Sequence, residues 1–74
     1  MEKYLNLGGD SGILAYEIGD YYIKVEFPEP HGIYTYSYQR AGRYHVEKMK
    51  KLAIDGRGLN TYINKNVRKL YDQR

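Results

Sequence analysis

Ile33-Tyr34-Thr35-Tyr36-Ser37-Tyr38 carries a tyrosine at every second position, and a period of two is that of a β-strand. Tyr34, Tyr36 and Tyr38 therefore share one strand face and form a continuous aromatic ridge. Before the ridge the sequence reads as strand and after it as helix, which makes the chain α+β. It has 74 residues, ten of them tyrosine and none cysteine. A chain this short buries only about 60% of the surface its unfolded form exposes. One domain spanning residues 1–74 is expected, with one small core held by apolar packing and no disulfides.

Working upstream, residues 13–18 and 21–27 alternate in the strand period and are separated by Gly19-Asp20, which reads as a two-residue hairpin turn. That turn would pair Ile18 with Tyr21, Tyr16 with Ile23 and Leu14 with Val25 on an apolar face. Glu17 opposite Tyr22 and Ala15 opposite Lys24 would form a mixed face. Pro28-Glu29-Pro30-His31-Gly32 ends the second strand, because proline cannot donate to a ladder. If the connection sets Tyr34 near Phe27, Tyr36 falls by Val25 and Tyr38 by Ile23, and the ridge joins the core face. A slip of one residue would turn the rings outward and bury Ile33, Thr35 and Ser37. The first register buries more apolar area and is the expectation.

Downstream, the period becomes helical from about residue 43 to 54, with Val46, Met49 and Ala53 on one stripe flanked by Leu52 and Tyr44. Glu47 lies four residues from both Arg43 and Lys51, a spacing that lets helix charges compensate. Asp55-Gly56-Arg57-Gly58 stops this helix, with Gly56 as its left-handed cap. A second helix is predicted from Leu59 or Asn60 to Asp72, with Asn60 as the cap of its first turn. Its stripe is Leu59, Tyr62, Ile63, Val67, Leu70 and Tyr71. The expected fold is a three-stranded antiparallel meander packed on two C-terminal helices. Residues 1–12, rich in glycine at Gly8, Gly9 and Gly12, are expected to be a lead-in loop.

Gly9-Asp10-Ser11-Gly12 resembles the nucleophile segment of trypsin-like serine proteases, but a triad needs a histidine, a carboxylate and a large scaffold to hold them. A chain of 74 residues spent on one core also leaves little material for a concave catalytic site, so no enzyme is expected and no cofactor. His31 and His45 have no second ligand at a metal-site spacing, so no metal is expected. No apolar run approaches the roughly 18 residues that cross a bilayer, and the start of the chain lacks a signal-peptide core. The expectation is a soluble, cytoplasmic protein that does not engage membranes.

Several spaced residues together resemble the KTSC domain, a short module found at the C-terminus of some lysyl-tRNA synthetases and as a free-standing small protein. They are Ser11 and Ile13, Val25 and Phe27, Tyr34 and Tyr36, Ala53, and the Gly56, Asn60, Ile63 series. The resemblance covers roughly residues 11–71. Tyr38-Gln39-Arg40-Ala41-Gly42 stands where the family continues to a Val-Pro at its first helix. The resemblance implies an RNA-binding role.

The charge distribution points the same way. Residues 1–39 hold two basic and six acidic side chains, whereas residues 40–74 hold ten basic and three acidic. A basic half suits a polyanionic partner, although lysines and arginines also serve simply to solvate helix faces. Lys65, Arg68 and Lys69 recur at spacings of three and four on the second helix, where they could track a phosphate backbone. Arg57 sits in the turn before it, and Tyr22 could offer a ring for a base to stack on. The expected function is a small non-catalytic binding module with tRNA or another structured RNA as partner, contacted through Arg57, Lys65, Arg68, Lys69 and Tyr22. The competing expectation is a protein-interaction or structural module using the open sheet face or a sheet edge, as a monomer or weak homodimer.

Overall fold

The computed structural model describes residues 1–9 and 12–72. Asp10 and Ser11, which belong to the protease-like tetrad and open the KTSC-like pattern, lie outside the described residues. The architecture is an antiparallel sheet with helical structure on one face, and among the described residues the sheet has four strands rather than three. They are β1 (Glu2–Lys3), β2 (Ala15–Ile18), β3 (Tyr22–Phe27) and β4 (Gly32–Ser37), hydrogen-bonded in that order. Helix α1 spans Arg43–Asp55; α2 spans Leu59–Tyr62 and continues as a π-helical turn, Ile63–Val67.

The extra strand corrects the expectation of a lead-in loop. Glu2 pairs with Tyr16 and Lys3 with Ala15. Two residues are too few to show a period of two, so nothing in their pattern marks a strand. What fixes them is Tyr4, which is 2% exposed and belongs to the core. Its hydroxyl accepts the Leu59 backbone N–H at 3.3 Å, while the Tyr4 N–H donates to the Leu14 carbonyl. Leu7 adds a bond from its N–H to the Gly56 carbonyl.

Both hairpin registers differ from expectation by two residues, which leaves every side chain on its expected face. Tyr16 pairs with Val25 and Ile18 with Ile23, so the turn residues are Asp20 and Tyr21 instead of Gly19 and Asp20. Gly19 donates to the Tyr22 carbonyl at 2.9 Å and has no positive φ. A Cβ there would meet the Tyr22 ring at 2.1 Å, so a larger residue at this position would have to displace that ring. On the other side of β3, Tyr34 pairs with Val25, Tyr36 with Ile23, and Phe27 with Gly32. Phe27 and Tyr34 still touch, as rings 5.5 Å apart edge to face.

The ridge faces the helices, as the burial argument predicts. Tyr36 is 1% exposed, and Tyr34 and Tyr38 are partly buried against the core. Ile23 and Val25 from β3, and Val46, Met49 and Ala53 from α1, complete this floor together with Leu59, Ile63 and Val67. Gly56 caps α1 in the left-handed conformation, φ 81°, and its N–H reaches the Ala53 and Leu52 carbonyls.

The second helix is where the periodic reading fails. Leu59, Ile63, Val67 and Tyr71 recur every fourth residue, and an α-helix rotates such a row by about 40° per step away from a fixed face. A π-helical turn, closed between residues five apart, absorbs that drift, so Ile63 and Val67 both stay buried. The segment ends there, well short of Asp72. Asn60 is not its cap; the residue before α2 is Gly58, left-handed at φ 82°, which has no side chain to offer as a cap. The Tyr4 hydroxyl meets the first N–H instead.

Candidate nucleic-acid interface

Where the π-helical turn ends, the chain turns through Arg68 and Lys69, both exposed, and returns along the sheet. Asp72 closes that return. Its N–H donates to the Thr35 carbonyl at 2.6 Å, and its Oδ1 accepts from the Ser37 backbone N–H at 3.2 Å and hydroxyl at 2.8 Å. Backbone groups on the outer edge of β4 are thereby engaged, which blunts that edge as a template for another strand.

Between the returning segment and β4 lies a groove of about 370 Å³. One wall is aromatic: Phe27, Tyr34 and Tyr71 meet edge to face in series, at centroid distances of 5.5 and 4.7 Å. Arg68, Lys69, Asn64 and Ile63 also line the groove, as does His31 from the β3–β4 turn. Tyr36 lines the floor; burial, then the nearby phenols of Tyr34 and Tyr71, push its ionisation far above the ordinary tyrosine range. The hydroxyl therefore keeps its proton. No carboxylate is among the described residues lining this groove.

The five residues singled out from sequence do not form one site. Arg68 and Lys69 meet at the groove. Lys65 is exposed on the same helical segment but does not line the groove. Arg57, exposed between two left-handed glycines, lines a separate hollow of about 240 Å³ with Tyr4, Asn6 and Asn60. Tyr22 alternates with Ile23 and so projects from the opposite sheet face. Its hydroxyl donates to Glu17 at 3.0 Å, and Lys24 lies 5.7 Å from its ring. The bond to Glu17 holds the Tyr22 proton more tightly than in free tyrosine.

The aromatic wall has no mark in the sequence. Phe27 and Tyr34 were expected to be neighbours and Tyr71 was expected on an apolar stripe. What joins them is the chain's exit from the helix after Val67, which carries Tyr71 to the sheet. That exit has no signature in a periodic pattern.

Two of the four lysine and arginine side chains of α1 are committed elsewhere. Lys50 pairs with Glu47 at 2.8 Å and donates to the Asp20 carbonyl at 3.3 Å; Arg43 and Lys50 lie 5.8 and 5.5 Å from the Tyr38 ring. The expected ladder of Glu47 with Arg43 and Lys51 is thus replaced by an ion pair three residues apart. Tyr38 also donates to Glu47, tying the sheet to α1. Lys50 first, then Tyr38, hold the Glu47 carboxyl below its ordinary 4.5. A lowered folded-state pKa gives stability that is present above the unfolded value and lost as pH falls through the folded one. Glu47 is therefore expected to titrate below 4.5 in a side-chain NMR titration, and Glu47→Gln to flatten the acid limb of the melting curve. A midpoint at or above 4.5 would rule this out.

His45 joins α1 to α2, its Nδ1 lying 2.6 Å from the Tyr62 hydroxyl. Among the described residues no group of three potential metal ligands comes together, and no helix is long and apolar enough to cross a membrane. No family model, curated protein or solved structure matches the chain.

Proposed function

We propose that this chain is a small non-catalytic, cytoplasmic RNA-binding module of the KTSC type, whose contact surface is centred on Arg68 and Lys69. The observation that carries the reading is the pairing of two exposed cations with an aromatic wall in one groove with no carboxylate among its described lining residues. Cations track a phosphate backbone, and rings accept unstacked bases whatever their sequence. Lys65 and Arg57 extend the basic surface beyond the groove. The sheet's other face supports a partner less well, because Glu17, Tyr22 and Lys24 are already engaged with one another.

Four phosphate contacts to a single strand predict an affinity loss of about 50-fold between 50 and 200 mM salt. Fluorescence anisotropy with tRNA and with an unstructured RNA checks this. Lys65→Glu combined with Arg68→Glu should abolish most of the binding, and Tyr22→Ala should leave it unchanged. Affinity indifferent to salt, or sensitive to Tyr22→Ala and not to the charge reversals, would transfer the function to the sheet face.

A further inference from the structure

We infer that the groove beneath Arg68 and Lys69 is a nucleotide subsite, taking one nucleoside monophosphate unit with its phosphate against these cations and the Tyr36 hydroxyl and its base against Tyr71 and Tyr34. The inference rests on the RNA-binding reading but specifies the ligand unit, and it stands chiefly on Tyr36. That side chain is 1% exposed, yet its hydroxyl makes no hydrogen bond to the described residues. No buried polar side-chain atom among those residues lacks a partner; a hydroxyl open to the groove that Tyr36 lines accounts for both observations. Tyr34 and Tyr71, whose phenols add to the rise in its ionisation, line the same groove.

A tyrosine can usually satisfy its hydroxyl with a protein acceptor or by reaching bulk water. Here a donor stands ready at the floor of a groove whose charged lining residues, among those described, are both cationic. Burial keeps the O–H protonated, so the floor is suited to a ligand rich in acceptors. Phosphate meets that demand with charge-assisted bonds. Inorganic phosphate alone would leave the Phe27, Tyr34 and Tyr71 wall wet. A volume of about 370 Å³ falls within the range of small-molecule sites, and an aromatic base attached to the phosphate would cover the wall. The same chemistry is offered by a free mononucleotide and by the phosphorylated end of a strand.

The test is calorimetric titration with adenosine monophosphate, adenosine, inorganic phosphate, and a short single-stranded oligoribonucleotide with and without a 5′-phosphate. The nucleotide is expected to bind at least about tenfold more tightly than adenosine or phosphate, and to shift the ring resonances of Tyr34 and Tyr71. Tyr36→Phe removes one hydrogen bond to a charged group and should weaken the nucleotide about tenfold, while Arg68→Gln with Lys69→Gln, both exposed, should abolish binding without relying on a core change. Tighter binding of the phosphorylated oligomer than of the free nucleotide identifies the strand end as the source; equal or weaker binding identifies the free nucleotide. A nucleotide bound no better than phosphate, or unaffected by Tyr36→Phe, overturns the subsite. Long RNA that still binds in a salt-dependent way would then leave the wider RNA-binding reading intact, whereas nucleotide binding without any RNA affinity would retain the subsite and discard that reading.

Discussion

Tyr4→Ala is expected to lower the melting temperature by at least about 12 °C, an effect larger than any surface substitution should produce. The ring is 2% exposed and packs in the main core, and truncating a buried aromatic residue costs about 3–5 kcal/mol. In a domain of this size each kcal/mol moves the midpoint by about 4–8 °C. The hydroxyl adds a separable part, since it accepts the first N–H of α2 at 3.3 Å. Tyr4→Phe keeps the ring and loses only that acceptor, so its cost should be about 1 kcal/mol. Thermal melts of the two variants divide packing from capping. If Tyr4→Ala melts within a few degrees of the parent, the N-terminal segment is not part of the core and β1 is an incidental pairing.

Tyr4 also marks the boundary of what the sequence makes legible. The ridge and the stripe of Val46, Met49 and Ala53 declare themselves through period, and both lie where their period places them. Parity survives even where register does not, because a displacement of two residues along a strand returns each side chain to the same face. The turn falls one residue on from its expected place, with the Tyr22 ring lying over Gly19, and a close fit of that kind is invisible to turn statistics. A single buried tyrosine in a glycine-rich segment has no period at all. Nor does the point at which α2 widens and ends, which decides that Tyr71 joins Tyr34 while Lys65 stays outside the groove. Candidate cations could be read from composition, but the ring wall that gives two of them a shared site depends on tertiary placement.

Tyr36→Ala is expected to be the most damaging change in the ridge and to lower the melting temperature by at least about 12 °C. At 0.05–0.15 kcal/mol per residue the whole domain holds about 4–11 kcal/mol, and loss of this ring should remove about 3–5 of it. The reason lies in its position. Tyr36 pairs with Ile23 in the middle of the floor and is 1% exposed. Tyr34 and Tyr38 lie toward the margins, the first leaning on Phe27 and Tyr71 and the second held by Glu47 and two cations. Denaturant unfolding should therefore rank Tyr36→Ala well above Tyr38→Ala in destabilisation. Tyr36→Phe, which keeps the ring and loses a hydroxyl that bonds to no described residue, should melt close to the parent. That pattern would separate two demands on one side chain, the ring serving the fold and the oxygen serving the groove. A Tyr36→Phe variant as unstable as Tyr36→Ala would instead make the hydroxyl structural, and comparable losses at Tyr36 and Tyr38 would mean that the core is not centred on the middle of the ridge.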